Sequence, residues 1–271
     1  SVCVVGTNGK TTVTNLLADA LELAGRRVVC NRTGANLDSG VATSLLHAGP
    51  SDWGVFECDE LWLAKILPQL QATYVVLLNL FRDQLDRVGE IDRIQDSIVG
   101  ALEKSPGTVL VYNADDPLCV RIAERAANPS IAFGVDENLG LPQNSVADAQ
   151  MCQRCSSMLE YDYRQYGQLG SFSCPTCGFA RPALDFAATG VKLGLNGLVV
   201  RTVRAGTVRG QPRVRSPRRT PARTWCTTCW QPLPRPASPV ARFPRCRRPS
   251  TPSTRRTGAC KRLTSPVGAC C

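Results

Sequence analysis

Ser1 to Val5 is a short apolar run that passes through Gly6-Thr7-Asn8-Gly9-Lys10-Thr11-Thr12 into Val13 to Ala24. In that second stretch Leu16, Leu17, Ala20, Leu21 and Leu23 recur at helical spacing, and Gly25 ends the pattern. A strand that turns through two glycines into a helix leaves the first helical N–H groups without partners inside the helix. Such an end attracts a polyphosphate. Further apolar runs at Val28 to Cys30, Trp53 to Glu57, Tyr74 to Asn79, Val109 to Tyr112 and Ile131 to Phe133 alternate with helical stretches such as Ile91 to Glu103 and Pro117 to Ala127. Strands buried on both faces read as continuous apolar runs. The alternation predicts an α/β fold with a P-loop and a doubly wound parallel sheet.

The residue types in the loop fit ATP and Mg²⁺. Gly6, Thr7, Asn8, Gly9 and Thr12 offer backbone amides, Lys10 can reach the β/γ oxygens, and Thr11 can ligate the metal. The longer GxxxxGK[ST] form would place glycine at position 4; this chain has Val4 there and carries the shorter GTNGKTT variant.

Cys152-x2-Cys155, 18 further residues, and Cys174-x2-Cys177 have the spacing of two knuckles that converge on one Zn²⁺. Four thiolates fill a tetrahedron, so the predicted metal is structural, and losing one should loosen this ribbon while leaving the distant ATP loop folded. Apolar periodicity stops between Asp148 and Pro182. It resumes at Val191 to Leu195 and Leu198 to Val203, joined by Asn196-Gly197, a type I′ hairpin signal. The expected organisation is an ATP-binding domain over 1–148, an inserted zinc ribbon over 149–182, a closing hairpin over 183–205 and a disordered tail over 206–271.

Charge divides the same way. The 271-residue chain has a formal net charge of +10, yet all 22 acidic residues and only 14 of the 32 basic ones lie at or before Asp185. The stretch after it has no acid and holds six cysteines, and past Lys192 it has a single further lysine, Lys261. For the tail from about Ala205 two readings follow: a basic arm for nucleic acid or anionic lipid, or out-of-frame GC-rich codons. The poverty in lysine and the wealth of cysteine favour the second. Cys226 and Cys229 lack a partner pair of suitable spacing, and His47, the one histidine, falls at a helix end with a surface or capping role. No run of about 18 apolar residues is present, and no signal sequence opens the chain. The start on Ser1 within a strand suggests that the natural N-terminus lies upstream.

GTNGKTT resembles the ATP loop of the Mur ligase family, which includes the folylpolyglutamate synthases. Phe56-Glu57-Cys58-Asp59-Glu60 resembles that family's strand-end acidic motif, which implies Glu57 as a magnesium ligand. Asp59 and Glu60 are open between ligand and solvated-loop roles. Asn79 to Arg87 resembles the N-I-x-x-D-H-L-D-x-H segment, with Gln84 in the histidine position, and no lysine lies in 90–100, where many members carry a carbamylated one. Asn113-Ala114-Asp115-Asp116-Pro117 resembles the N-x-D-D-P turn near the base, which implies that Asn113 and Asp116 bind ATP; the same residues would also make a helix N-cap with proline at N1.

The ribbon, Gln84 and Thr33-Gly34-Ala35-Asn36-Leu37 narrow the resemblance to the branch that amidates lipid II. It implies an ATP-dependent carbon–nitrogen ligase in peptidoglycan synthesis that activates the D-Glu α-carboxylate as an acyl phosphate. Ammonia would come from a GatD-type glutamine amidotransferase partner, and the work would be done in the cytoplasm at the inner membrane face. Catalytic residues of a C-terminal domain are not recognisable. A zinc-ribbon nucleic-acid-binding NTPase and a folylpolyglutamate-type ligase are the alternatives.

Overall fold

The computed structural model describes residues 1–81, 89–141, 150–194 and 197–205. Gln84, the Asn196 half of the hairpin turn, the boundary at 148/149 and the whole of 206–271 lie outside the described residues. In chain order the first elements are β1 (Val2–Val5), α1 (Lys10–Leu23), β2 (Val28–Cys30), α2 (Asp38–Leu46), β3 (Trp53–Glu57), α3 (Leu63–Leu70) and β4 (Tyr74–Leu77). They continue with α4 (Glu90–Glu103), β5 (Val109–Asn113), α5 (Pro117–Arg125) and β6 (Ser130–Val135). The last four are β7 (Glu160–Tyr166), β8 (Leu169–Ser173), β9 (Phe186–Gly194) and β10 (Gly197–Ala205).

Eight strands form one sheet in the order β10-β9-β6-β5-β4-β1-β3-β2, parallel except for the antiparallel β9–β10 pair. The chain leaves β1 to one side for β2 and β3, then crosses to the other side for β4, β5 and β6. Open α/β sheets bind ligands where the winding reverses like this, beyond the carboxyl ends of the strands. The Gly6–Thr12 loop leaves β1 at that point.

The alternation of strand side chains between two faces is visible in the core. Cys3 and Val5 of β1 join Phe56, Leu77, Leu110 and the helix residues Leu67, Ile98, Leu102, Leu118 and Ile122 in the larger apolar cluster. Val2 and Val4 face the other way, onto Val13 and Leu17 of α1, with Val76, Val111 and Phe133. α3 was not anticipated, because Pro68 interrupts a short pattern; its Leu63, Ile66 and Leu67 are buried all the same. β9 begins at Phe186, ahead of the apolar signal at Val191, and pairs in parallel with β6 (Phe133 opposite Phe186).

Parallel neighbours need a crossover of a dozen or more residues, ordinarily a helix. Between β6 and β9 that crossover contains the cysteine ribbon. Leu159, Phe172 and Phe179 of the ribbon are buried in the same cluster as Leu118 and Ile122 of α5, and the Phe172 and Phe179 rings lie 5.3 Å apart. Emptying a buried phenylalanine site costs on the order of 3–5 kcal/mol. Phe172→Ala should therefore lower the stability of the whole domain by about that amount in urea melts followed by tryptophan fluorescence. A second, earlier transition confined to the ribbon, with the main transition unmoved, would show the two to be separate cores.

Candidate nucleotide site and cysteine cluster

Gly6 must be glycine. Its φ is +139°, and a Cβ there would sit 2.9 Å from the Asn79 carbonyl oxygen at the end of β4. This close approach lets β4 hold the loop: Thr7 N–H donates to Asn79 O at 2.9 Å, Asn8 N–H to Asn79 Oδ1 at 2.9 Å, and Asn79 Nδ2 to Asn8 O at 3.0 Å. Thr7 Oγ1 accepts from Phe81 N–H at 2.9 Å. Gly9, at φ +83°, forms the N-cap of α1 without a side-chain bond. The first helical hydrogen bond runs from Val13 N–H to Gly9 O, so the amides of the preceding turn are left for a ligand. Thr11 and Thr12 are exposed there.

Lys10 lies folded over the loop, donating to Gly6 O at 2.6 Å and facing Glu60 Oε1 at 3.2 Å. Glu60 Oε1 also accepts the Gly6 N–H at 3.1 Å. The loop's cation and one of its amides therefore already meet an anionic oxygen, the kind of partner a phosphate offers. Asp59 does different work: its carboxylate accepts from Leu61 and Trp62 N–H and turns the chain into α3.

Glu57 is 4% exposed at the end of β3. Asn31 clamps its backbone on both sides, accepting Glu57 N–H at 2.8 Å and donating to Glu57 O at 2.9 Å, and Asn36 Nδ2 lies 3.5 Å from Oε1. Oε2 is buried without a hydrogen-bond partner. A Cβ on Gly34, at φ +75°, would point into the space between Thr11 Oγ1 and Glu57 Oε2, at 3.5 and 3.6 Å. A buried carboxylate oxygen without a partner, beside a hydroxyl and a gap kept open by a glycine, fits a hard cation with oxygen ligands. Sequence reasoning on single residues missed Asn31; Gly34 and Asn36 were visible only as part of Thr33 to Leu37.

Asn113 and Asp116 differ in placement. Asn113 borders a cavity of about 240 Å³ with Asn8, Gly9, Leu78, Asn79, Phe81, Tyr166 and Leu169, although its amide already donates to Leu78 O and accepts Asp115 N–H. Asp116 is fully buried. It caps α5 through Leu118 N–H at 3.0 Å and accepts Leu80 N–H at 2.8 Å, the helix-capping alternative of the sequence. Asp115 accepts Val135 N–H and pairs with Arg181 at 2.8 Å. His47 is the C-cap of α2.

Cys152, Cys155, Cys174 and Cys177 bring their sulfurs within 4.8 Å of one another and could hold a metal ion. The two knuckles repeat one geometry. In each, the first cysteine's N–H donates to the carbonyl five residues on (Ser157, Phe179), and its carbonyl accepts the N–H four residues on (Ser156, Gly178). Those fourth residues both have positive φ, 61° at Ser156 and 70° at Gly178. The expectation that the ribbon lies far from the ATP loop is corrected: its β7–β8 turn lines the cavity beside Gly9.

The sheet, the reversal at β1 and the glycine loop between β1 and α1 define an α/β domain of the P-loop type. Residues 4–169 match the Mur ligase middle domain, and the chain belongs to the Mur ligase family. It is 37% identical over 194 residues to the MurT subunit of lipid II isoglutaminyl synthase (glutamine-hydrolyzing) from Streptococcus pneumoniae, covering 69% of this chain and 43% of that one. Against the MurT subunit from Staphylococcus aureus the identity is 33% over 183 residues, covering 66% and 41%. A pseudomurein peptide ligase type C from Methanothermus fervidus superposes with a TM-score of 0.56 at 25% identity, over 69% of this chain and 37% of that one. The chain thus spans less than half the length of these relatives.

The converging thiolates predict about one zinc per chain in elemental analysis of freshly purified, reduced protein. Cys174→Ser should lower that content. Full zinc in the variant, or none in the wild type, would show that the four sulfurs do not form the site.

Proposed function

We propose that this chain is the ATP-binding part of a carbon–nitrogen ligase acting in peptidoglycan synthesis, and that it activates a carboxylate by phosphorylation. The carrying observation is the anion-ready loop at the switch point, with Lys10 on one side and the unpartnered Glu57 oxygen beside Thr11 on the other. In this reading the amides of Gly9 to Thr12 and the Lys10 side chain would hold the β and γ phosphates, the Gly6, Thr7 and Asn8 amides being engaged by Glu60 and Asn79, and Thr11 and Glu57 would hold Mg²⁺. The metal, when bound, neutralises phosphate charge. A carboxylate oxygen of the substrate attacks the γ phosphorus, the bond to the β–γ bridging oxygen breaks, and ADP leaves with that electron pair. Ammonia nitrogen then attacks the acyl carbon, phosphate departs and the nitrogen sheds a proton, leaving an amide. Fixed charge and positioning are the protein's means of lowering both barriers.

The MurT relatives are named as subunits of a glutamine-hydrolysing lipid II isoglutaminyl synthase, which supports the finer reading. The carboxylate is then the D-Glu α-carboxylate of the lipid II stem peptide, the product is D-isoglutamine, and a GatD-type glutaminase supplies the ammonia. The cysteine cluster holds a structural Zn²⁺, and the enzyme works in the cytoplasm at the inner membrane face. Among the described residues no helix is long and apolar enough to cross a membrane. A nucleic-acid grip by the ribbon is not favoured, because its arginines are engaged: Arg154 with Glu124, Arg181 with Asp115, and Arg164 over the Tyr161 ring at 4.1 Å.

Hydrogen bonds to charged groups contribute about 1.5–3 kcal/mol, and each 1.4 kcal/mol is tenfold in affinity. Lys10→Ala should therefore weaken ATP binding by calorimetry about ten- to a hundred-fold; unchanged affinity would sink the loop assignment. Glu57→Ala should weaken ATP binding in magnesium and leave it unaltered in excess EDTA. An equal loss in both conditions would point to a folding role for Glu57 instead.

A further inference from the structure

The cavity beside Gly9 has a wall that the parallel sheet does not supply. Leu78, Asn79 and Phe81 come from the end of β4 and the loop after it, and Asn8 and Gly9 from the phosphate-type loop, but Tyr166 and Leu169 belong to the β7–β8 turn of the cysteine ribbon. We propose that Tyr166 closes over the base of the bound nucleotide, so that the ribbon completes the base pocket of the site whose phosphate end is the Gly6–Thr12 loop. This rests on the reading of that loop as a triphosphate site.

The turn is fixed in place from several directions. Gln168 is fully buried and donates through Nε2 to Leu80 O at 2.6 Å, and Gly170 N–H donates to Asp115 O at 2.9 Å. Gly167 sits at φ +56°, where a Cβ would come within 2.9 Å of the Phe81 ring. Phe81 is bound through its own N–H to Thr7 Oγ1 in the phosphate loop. One chain of contacts therefore runs from the loop through Phe81 to the ribbon turn.

The chemistry of the lining suits a flat heterocycle. Tyr166 meets Phe81 edge to face, with ring centroids 5.7 Å apart and planes at 71°, an arrangement aromatic pairs favour. Its side is braced while 58% of the residue stays exposed. Leu78 and Leu169 give apolar surface, and Asn8, Asn79 and Asn113 make the rest of the lining polar. Whole small-molecule sites run roughly 300–1,000 Å³. At about 240 Å³ this cavity is the size of a site for part of a ligand, and it adjoins the loop that would hold the remainder.

Inorganic tripolyphosphate engages the loop but has no base, so it separates the two ends of the site. In the full chain with magnesium, calorimetry should show Tyr166→Ala weakening ATP about 5- to 100-fold, the range of base–aromatic stacking, with tripolyphosphate affinity unchanged. Tyr166→Phe, which keeps the ring, should bind ATP as the wild type does. Wild-type ATP affinity in Tyr166→Ala, or an equal loss of ATP and tripolyphosphate, would overturn the proposal. A wild-type protein that binds tripolyphosphate no better than Lys10→Ala does would instead remove the loop reading on which the proposal rests.

Discussion

Two adjacent buried carboxylates hold the ligand-facing edge of this domain together. Asp116 takes the Leu80 N–H with one oxygen and caps α5 with the other. Asp115 takes the Val135 N–H and the Arg181 guanidinium, and its carbonyl accepts Gly170 N–H from the ribbon. Four segments meet there: the loop after β4, the start of α5, the end of β6 and the ribbon. Burial pushes both carboxyls up to about 6. The amides and Arg181 work against that shift, because they favour the charged form. Removing a partner from such a buried group costs far more than the contact itself contributes, so the sequence Asp-Asp-Pro at this turn is a structural requirement of the cavity wall.

Much of the sheet was legible because buried parallel strands are continuous apolar runs with glycine or charged punctuation, as at Tyr74 to Asn79 and Val109 to Tyr112. The loop was legible because a lysine and two glycines between a strand and a helix have few other reasons to coincide. α3 escaped because Pro68 breaks its pattern while tertiary burial of Leu63 and Leu67 carries it. The surroundings of Glu57 escaped for a different reason. Asn31 reaches Glu57 only when β2 and β3 are side by side, and the sequence left Glu60 open between a ligand and a loop role because its contact with Lys10 is made across the fold.

Glu60 shows how the positive charge of the loop is answered from within the molecule. A helix N-terminus with a lysine above it is a concentrated positive region. Here a side chain of the same molecule answers it, with Lys10 Nζ and Gly6 N–H sharing Glu60 Oε1. The two side chains are only 14% and 11% exposed, so this ion pair is far less screened by water than a surface pair.

The ribbon's position follows from connectivity. β6 and β9 are parallel neighbours, so the chain must leave the carboxyl edge of the sheet and return to the opposite edge, covering one face as it goes. In the earlier crossovers of this sheet a helix does that covering. Here Phe172, Phe179 and Leu159 fill the place beside α5, and two hydrogen-bonded knuckles of repeated geometry fix the short strands that carry them. A two-stranded hairpin is marginal in water alone, and this one is supported by the knuckle hydrogen bonds and by its packing against α5 and the sheet. Because the crossover begins at the carboxyl edge, the turn of that hairpin falls next to the phosphate-type loop. A ribbon that first answers a topological need is thereby set where it can touch a ligand.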